Sequence, residues 1–298
     1  LMYDRLHQKL YDHHVIQADE TPCLVNKDGR PAGSKSYMWV YRTGSMTRGG
    51  QIILYQYQKT RNASHPREFL KEFNGICVTD GYQVYHTIEN EREDLKISGC
   101  WSHARRRFDE ALKAMPENKR SGSIANLALK QIQAIYAEEG KLGELPPEER
   151  LELRQRIIRP MVEAYFAWAK RKLDSVLSKS KTWNGLSYSI NQEVYLKRFL
   201  DDGDVPIDNN AAEQSIRSFC VGKKNWVMID TISGANASAI IYSLTETAKA
   251  NDLKPYEYIK HLLEEIPQHM DETSDAFLED LLPWSDKLPD ACRKTIKQ

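Results

Sequence analysis

The strand signal in this chain stops at Trp101 and does not return for about a hundred residues, and any fold proposed for it must accommodate that break. Before the break, HVIQADETPCLV, SYMWVYRT and QIILYQYQ are β-branched and aromatic runs bounded by Gly, Lys or Asn. They predict three successive strands in an antiparallel meander. HPREFLKEF then sets Phe69, Leu70 and Phe73 at helical spacing, and GICVTD and LKISGCW read as two further short strands.

The order β-β-β-α-β-α-β predicts an α/β fold, a ribonuclease-H-like mixed sheet flanked by helices, by analogy of element order. After the break, Ile124, Leu127, Gln131 and Ile135 trace one helical stripe, and Met161, Tyr165, Trp168 and Lys172 another. Pro146 and Pro147 precede EERLELRQRIIR, where a helix start is expected. Residues 115–200 are therefore expected to be an all-helical insertion. Residues 14–114 would form the first part of the core and 201–252 the second, with a helix opening near Asn210, a short WVMI strand and the helix SGANASAIIYSLTETAKAN. A helix at Pro255–Glu265 and an acidic tail would fill 253–298. Residues 1–13, beginning LMYDRLHQKL, read as the tail of a helix, so the chain is expected to be a fragment of a longer protein.

The 298 residues carry 42 basic and 42 acidic side chains, so a polyanionic partner would have to meet a local basic patch. Residues 251–298 have a net charge of −5 and are a poor place for DNA contacts. Cys23, Cys77, Cys100, Cys220 and Cys292 are odd in number and scattered, which suits a reducing cytoplasm better than a disulfide framework. No apolar run reaches the roughly 18 residues of a membrane helix. No membrane partner is expected.

Asp19 interrupts an apolar alternation inside VIQADET, and a strand charge is costly unless paired or bound to a cation. Asp80 ends the GICVTD strand before Gly81, at the carboxyl end where ligands gather in open α/β sheets. Glu213 lies near the start of a later helix, in PIDNNAAEQSIR. Each has a plainer reading: a bulge at Asp19, a turn at Asp80-Gly81, and a capping box pairing Asn210 with Glu213. Together they offer three hard oxygen ligands of the kind that hold Mg²⁺ or Mn²⁺ for two-metal phosphoryl chemistry.

VIQADET, VTDGYQVY, GCWSHARRRF, VPIDNNAAEQSIR and YSLTETAKANDLKPYEYI, in this order and followed by LLPW, resemble the blocks of the IS66 family of bacterial insertion-sequence transposases. The resemblance implies a DDE-type catalytic domain of ribonuclease-H-like fold, with the helical insertion before its third carboxylate. It implies Asp19, Asp80 and Glu213 as catalytic and metal-binding residues, 61 and 133 positions apart. It further implies two Mg²⁺ or Mn²⁺ ions with DNA bound, element ends and target DNA as partners, an oligomer assembled on DNA, and accessory proteins of the same element. A separate domain recognising the element ends is expected upstream.

SHARRRF sets Ser102 as a helix cap and brings His103, Arg105, Arg106 and Arg107 into the first turns behind a strand, where phosphate contact and a solvated charged face are both open. Cys100 and His103 lack the second pair a structural zinc requires. Arg217, Lys223 and Lys224 are candidate DNA contacts beside Glu213, with a salt bridge from Arg217 as the plainer reading, and Asn209 or Asn210 is the candidate helix cap. Trp39, Tyr41, Trp168 and Trp226 read as core before base-stacking residues. Two alternatives stay open: a ribonuclease-H-like nuclease without strand transfer, and a transposase-derived DNA-binding module without catalysis.

Overall fold

A computed structural model describes residues 1–31 and 33–294. The chain is mixed α/β, with a six-stranded mixed sheet flanked by helices. It divides into two compact units, one of residues 1–75 and 211–298, the other of residues 76–210. The last four positions of the expected C-terminal region lie outside the described residues.

In the first unit, α1 (Met2–Leu10) leads into β1 (Val15–Lys27), β2 (Lys35–Thr43) and β3 (Ile53–Gln58), followed by α2 (Ser64–Phe69). The three strands form the antiparallel meander the sequence predicts, with Asp19 opposite Val40 and Cys23 opposite Ser36. On one face Trp39 and Tyr41 are fully buried, Tyr41 stacking on Phe69 at 3.6 Å. They are core, as their strand spacing suggested. The α2 helix ends at Phe69, four residues short of the sequence expectation.

The second unit follows with β4 (Gly75–Val78), α3 (Gln83–Asn90), β5 (Leu95–Ser98), α4 (Trp101–Lys113), α5 (Ile124–Gly140), α6 (Pro147–Leu153), α7 (Arg159–Leu173), α8 (Lys181–Asn191) and α9 (Glu193–Lys197). Trp101 is its centre, fully buried against Tyr165 and Phe166, with its indole N–H donating to Leu196 O at 2.7 Å. A single π-helical turn at Arg154–Ile158 joins α6 to α7. There the guanidinium of Arg154, fully buried, pairs with Glu139 and donates to the carbonyls of Phe199 (2.8 Å) and Asp202 (2.6 Å). Every donor facing inward has an acceptor, the condition under which a buried charge is tolerated. Ser102 does not cap α4, because the helix begins at Trp101 and the cap position falls to Cys100, whose side chain makes no capping bond.

The chain then returns through α10 (Asn210–Trp226), β6 (Ile229–Thr231), α11 (Ile232–Ala250) and α12 (Pro255–Glu265). The strand expected at WVMI begins three residues late. Val227 adopts a left-handed conformation (φ 61°) and donates its N–H to Lys223 O at 2.8 Å, closing α10 at Trp226 before extended backbone resumes. β6 then pairs with β1 in parallel.

Ala212, Ile216 and Phe219 of α10 and Ala235 and Ala239 of α11 cover the second face of the meander, packing on Cys23, Val25, Met38, Val40 and Tyr55. Ser243 and Thr247 continue the small-residue stripe of α11 and accept the β3 amides of Tyr55 (2.7 Å) and Ile53 (2.9 Å). A helix thus supplies the partners that an edge strand lacks. The acidic C-terminal region is packed as well, with Leu278, Leu281, Leu282 and Leu288 buried. No helix of the described residues is long and apolar enough to cross a membrane.

Candidate functional site

Strand alternation decides which way each acidic residue of β1 points. Asp19 stands directly opposite Val40, so both share one face, and Val40 belongs to the core packed against α10 and α11. Glu20 takes the other face, where Arg61 Nε donates to its Oε1 at 2.6 Å. The Asp-Glu pair is therefore split, one residue serving an ion pair and the other turned towards α10. Asp19 is half-buried, and its Oδ1 accepts the Glu20 amide at 2.8 Å.

Glu213 lies in the first turn of α10, where a carboxylate suits the positive end of the helix dipole. It precedes Cys220 by two turns on the same stripe of the helix, and Cys220 Sγ lies 3.5 Å from Thr21 Oγ1 of β1. Lys223, one turn further on, donates to Pro22 O at 2.6 Å. At the opposite end, the Arg42 guanidinium reaches Ala211 O (3.2 Å) and Ser215 Oγ (3.3 Å), and Arg42 is paired in register with Gln17. The helix therefore runs along β1 in the direction of the strand. Asp19 lies between the levels of Gln17 and Thr21, and Glu213 between those of Ala211 and Cys220. Within this unit the two carboxylates are brought to one face of the sheet.

Asp80 belongs to the other unit, two residues beyond β4. Its Oδ1 accepts the Tyr82 amide at 2.9 Å, so the turn reading holds for one oxygen. Gly81 is required by a close approach and not by its φ angle. A Cβ there would meet the Tyr188 hydroxyl at 2.7 Å. Burial pushes the Tyr188 phenol well above its ordinary value, with Cys100 and Asp80 adding to the rise and Arg107 opposing it. Arg107 lies over the Tyr188 ring at 4.1 Å. Neither Arg42 nor Tyr188 was singled out from the sequence, because each is defined by a partner more than a hundred residues away.

Asn209 is fully buried and its amide donates to Cys100 Sγ at 3.2 Å. The helix α10 begins at Asn210, whose amide and side chain donate to Asp208 at 3.1 Å and 2.8 Å. Cys100 Sγ and a His103 ring nitrogen lie within 4.8 Å. Arg105, Arg106, Arg217 and Lys224 are exposed, whereas Lys223 directs its ammonium to the Pro22 carbonyl.

The sequence profile described as "Transposase IS66 family" matches residues 1–237, and that of the "IS66 C-terminal element" matches residues 243–284. The chain belongs to the IS66 transposase family. Similar proteins from Sinorhizobium fredii (strain NBRC 101917 / NGR234) are the uncharacterized protein y4qI, 27% identical over 98% of this chain and 54% of its own length, and the uncharacterized protein y4jD, 27% identical over 95% and 56%. This IS66-family chain thus spans about half the length of the curated relatives it matches. Asp19, Asp80 and Glu213 all fall inside the segment matched to the transposase profile.

Proposed function

We propose that this chain is the catalytic part of a DDE-type DNA transposase on a ribonuclease-H-like scaffold with a helical insertion at 115–200, and that Asp19, Asp80 and Glu213 hold its divalent cations. The observation that carries the reading is the turning of Asp19, and not Glu20, to the face of β1 along which the Glu213 helix lies. Two partly exposed carboxylates on one face are hard oxygen donors, and the charge they gather suits Mg²⁺ or Mn²⁺. Asp80 joins them from the sequence pattern and the family alone.

When bound, the cations would supply Lewis-acid stabilisation of the attacking and leaving oxygens of a phosphodiester. The part played by the chain is to bind and orient. Strand register and the Glu20 amide fix Asp19, while Arg42 and the Thr21–Cys220 contact hold α10 and so the position of Glu213. The substrates are element ends and target DNA in the cytoplasm, cut and then joined through the freed 3′-hydroxyl. His103, Arg105, Arg106, Arg217 and Lys224 are candidate phosphate contacts. Assembly on DNA into an oligomer, with accessory proteins of the same element, completes the reading.

The test is a metal-dependent cleavage and strand-transfer assay on DNA carrying element ends. Asp19→Asn, Asp80→Asn and Glu213→Gln should each reduce cleavage on the order of 10³-fold, since each removes a ligand from chemistry worth several kcal/mol. Cleavage unchanged in any of the three would remove that residue from the site. Cleavage without joining would instead favour a nuclease on the same scaffold.

A further inference from the structure

The α7–α8 helical hairpin ends in a tip that its packing does not explain. Tyr165 of α7 and Ser189 of α8 are joined through their hydroxyls at 2.8 Å, and each is twelve residues from Leu177, which therefore marks the middle of the turn. Leu177 is 81% exposed. Residues 170–181, KRKLDSVLSKSK, carry a net charge of +4.

Lys170 is committed to Glu193 at 2.7 Å. Arg171, Lys172, Lys179 and Lys181 make neither an ion pair nor a side-chain hydrogen bond among the described residues. A plain structural account covers two of them, because cations in the last turn of α7 complement the helix dipole. It fails for the other two. Lys181 opens α8, where the dipole opposes a positive charge, although Ser180 already caps that end by accepting the Trp183 amide at 3.2 Å. Lys179 sits at φ 62°, a left-handed position that costs a non-glycine residue about 1–2 kcal/mol. Cations thus stand at two positions where local stability would favour other residues.

We propose that this tip is a DNA-binding element, in which Arg171, Lys172, Lys179 and Lys181 contact backbone phosphates and Leu177 packs against sugars and base edges in the minor groove. Unpaired cations around one exposed apolar side chain match the chemistry of DNA, whose grooves accept apolar wedges while the phosphates take the charges. The chemistry is independent of sequence, which suits target DNA better than a defined element end. The inference rests on the reading that DNA is the substrate.

The experiment is fluorescence anisotropy of a labelled duplex of arbitrary sequence titrated with the 298-residue chain over a range of salt concentrations. Replacing Arg171, Lys172, Lys179 and Lys181 together by Gln should make the log–log salt slope shallower by about 3.6, at roughly 0.9 for each of the four phosphates no longer neutralised. Leu177→Ser should weaken binding severalfold and leave the slope in place. Thermal melting identical to that of the parent chain would show that both variants fold. A parent chain that binds with an unchanged slope and affinity in the quadruple variant would overturn the tip assignment and leave the transposase reading standing. A parent chain that does not bind duplex DNA at all would overturn the tip assignment, while the cleavage assay decides the transposase reading separately.

Discussion

His7 shows how one side chain can set a pH dependence far from any chemistry. Its ring stacks on Phe69 at 4.0 Å, its Nε2 lies 3.3 Å from the Phe69 carbonyl oxygen, and burial lowers its pKa below the ordinary imidazole value. The unfolded chain therefore takes up this proton first as pH falls. The stability conferred by the neutral ring is complete above about pH 6.5 and is lost downward through the folded pKa. His13, His65 and His86 shift in the same direction, so acid should weaken the fold through several rings at once. In urea titrations across this range, His7→Phe should remove one share of the acid-side slope, and an unchanged slope would show that another group carries it. Residue scale is also where the sequence was most and least informative. Asp19 stood out because a charge broke an apolar alternation, whereas the Arg61 ion pair that engages Glu20 beside it, on the opposite face, joins residues 41 positions apart and had no local signal.

Among the elements, the meander and the order of strands and helices up to α4 were legible because alternation and helical spacing are local properties of the sequence. The displacement of β6 was not. Val227, Met228 and Ile229 are all good strand formers, and nothing in their side chains announces that Val227 turns left-handed to close α10. The contact of α11 with the edge of β3 was hidden for a different reason, since Ser243 and Thr247 read as ordinary polar helix positions until their hydroxyls are seen accepting strand amides. The strain at Val227 leads to a measurable expectation. Its side chain is more than half exposed, so Val227→Gly gives up little packing and relieves a left-handed β-branched residue. Offset by the greater freedom of glycine in the unfolded chain, the net gain should be about 0.5–1 kcal/mol in denaturant unfolding. A loss of stability would mean that the side chain is held by contacts stronger than the strain.

For the whole molecule, the distribution of thiols distinguishes the folded chain from any loosened form. Cys23, Cys77, Cys100 and Cys292 are buried, and burial pushes the Cys23 thiol up to about 11 and that of Cys77 further still. Cys220 alone is half-buried. A thiol-reactive dye at neutral pH should label at most Cys220 quickly in the native chain and all five after denaturation, because the thiolate is the reacting form. Rapid reaction of two or more thiols in the native chain would contradict the packing described.

The first unit is assembled from two stretches of sequence that are far apart, residues 1–75 and 211–298. During synthesis the meander leaves the ribosome with Met38, Val40 and Tyr55 facing water, because the helices that cover them have not yet been made. At roughly 5–20 residues per second, the wait for α10 and α11 is on the order of ten seconds. For that interval the apolar residues of the meander lack the two helices that cover them in the finished fold.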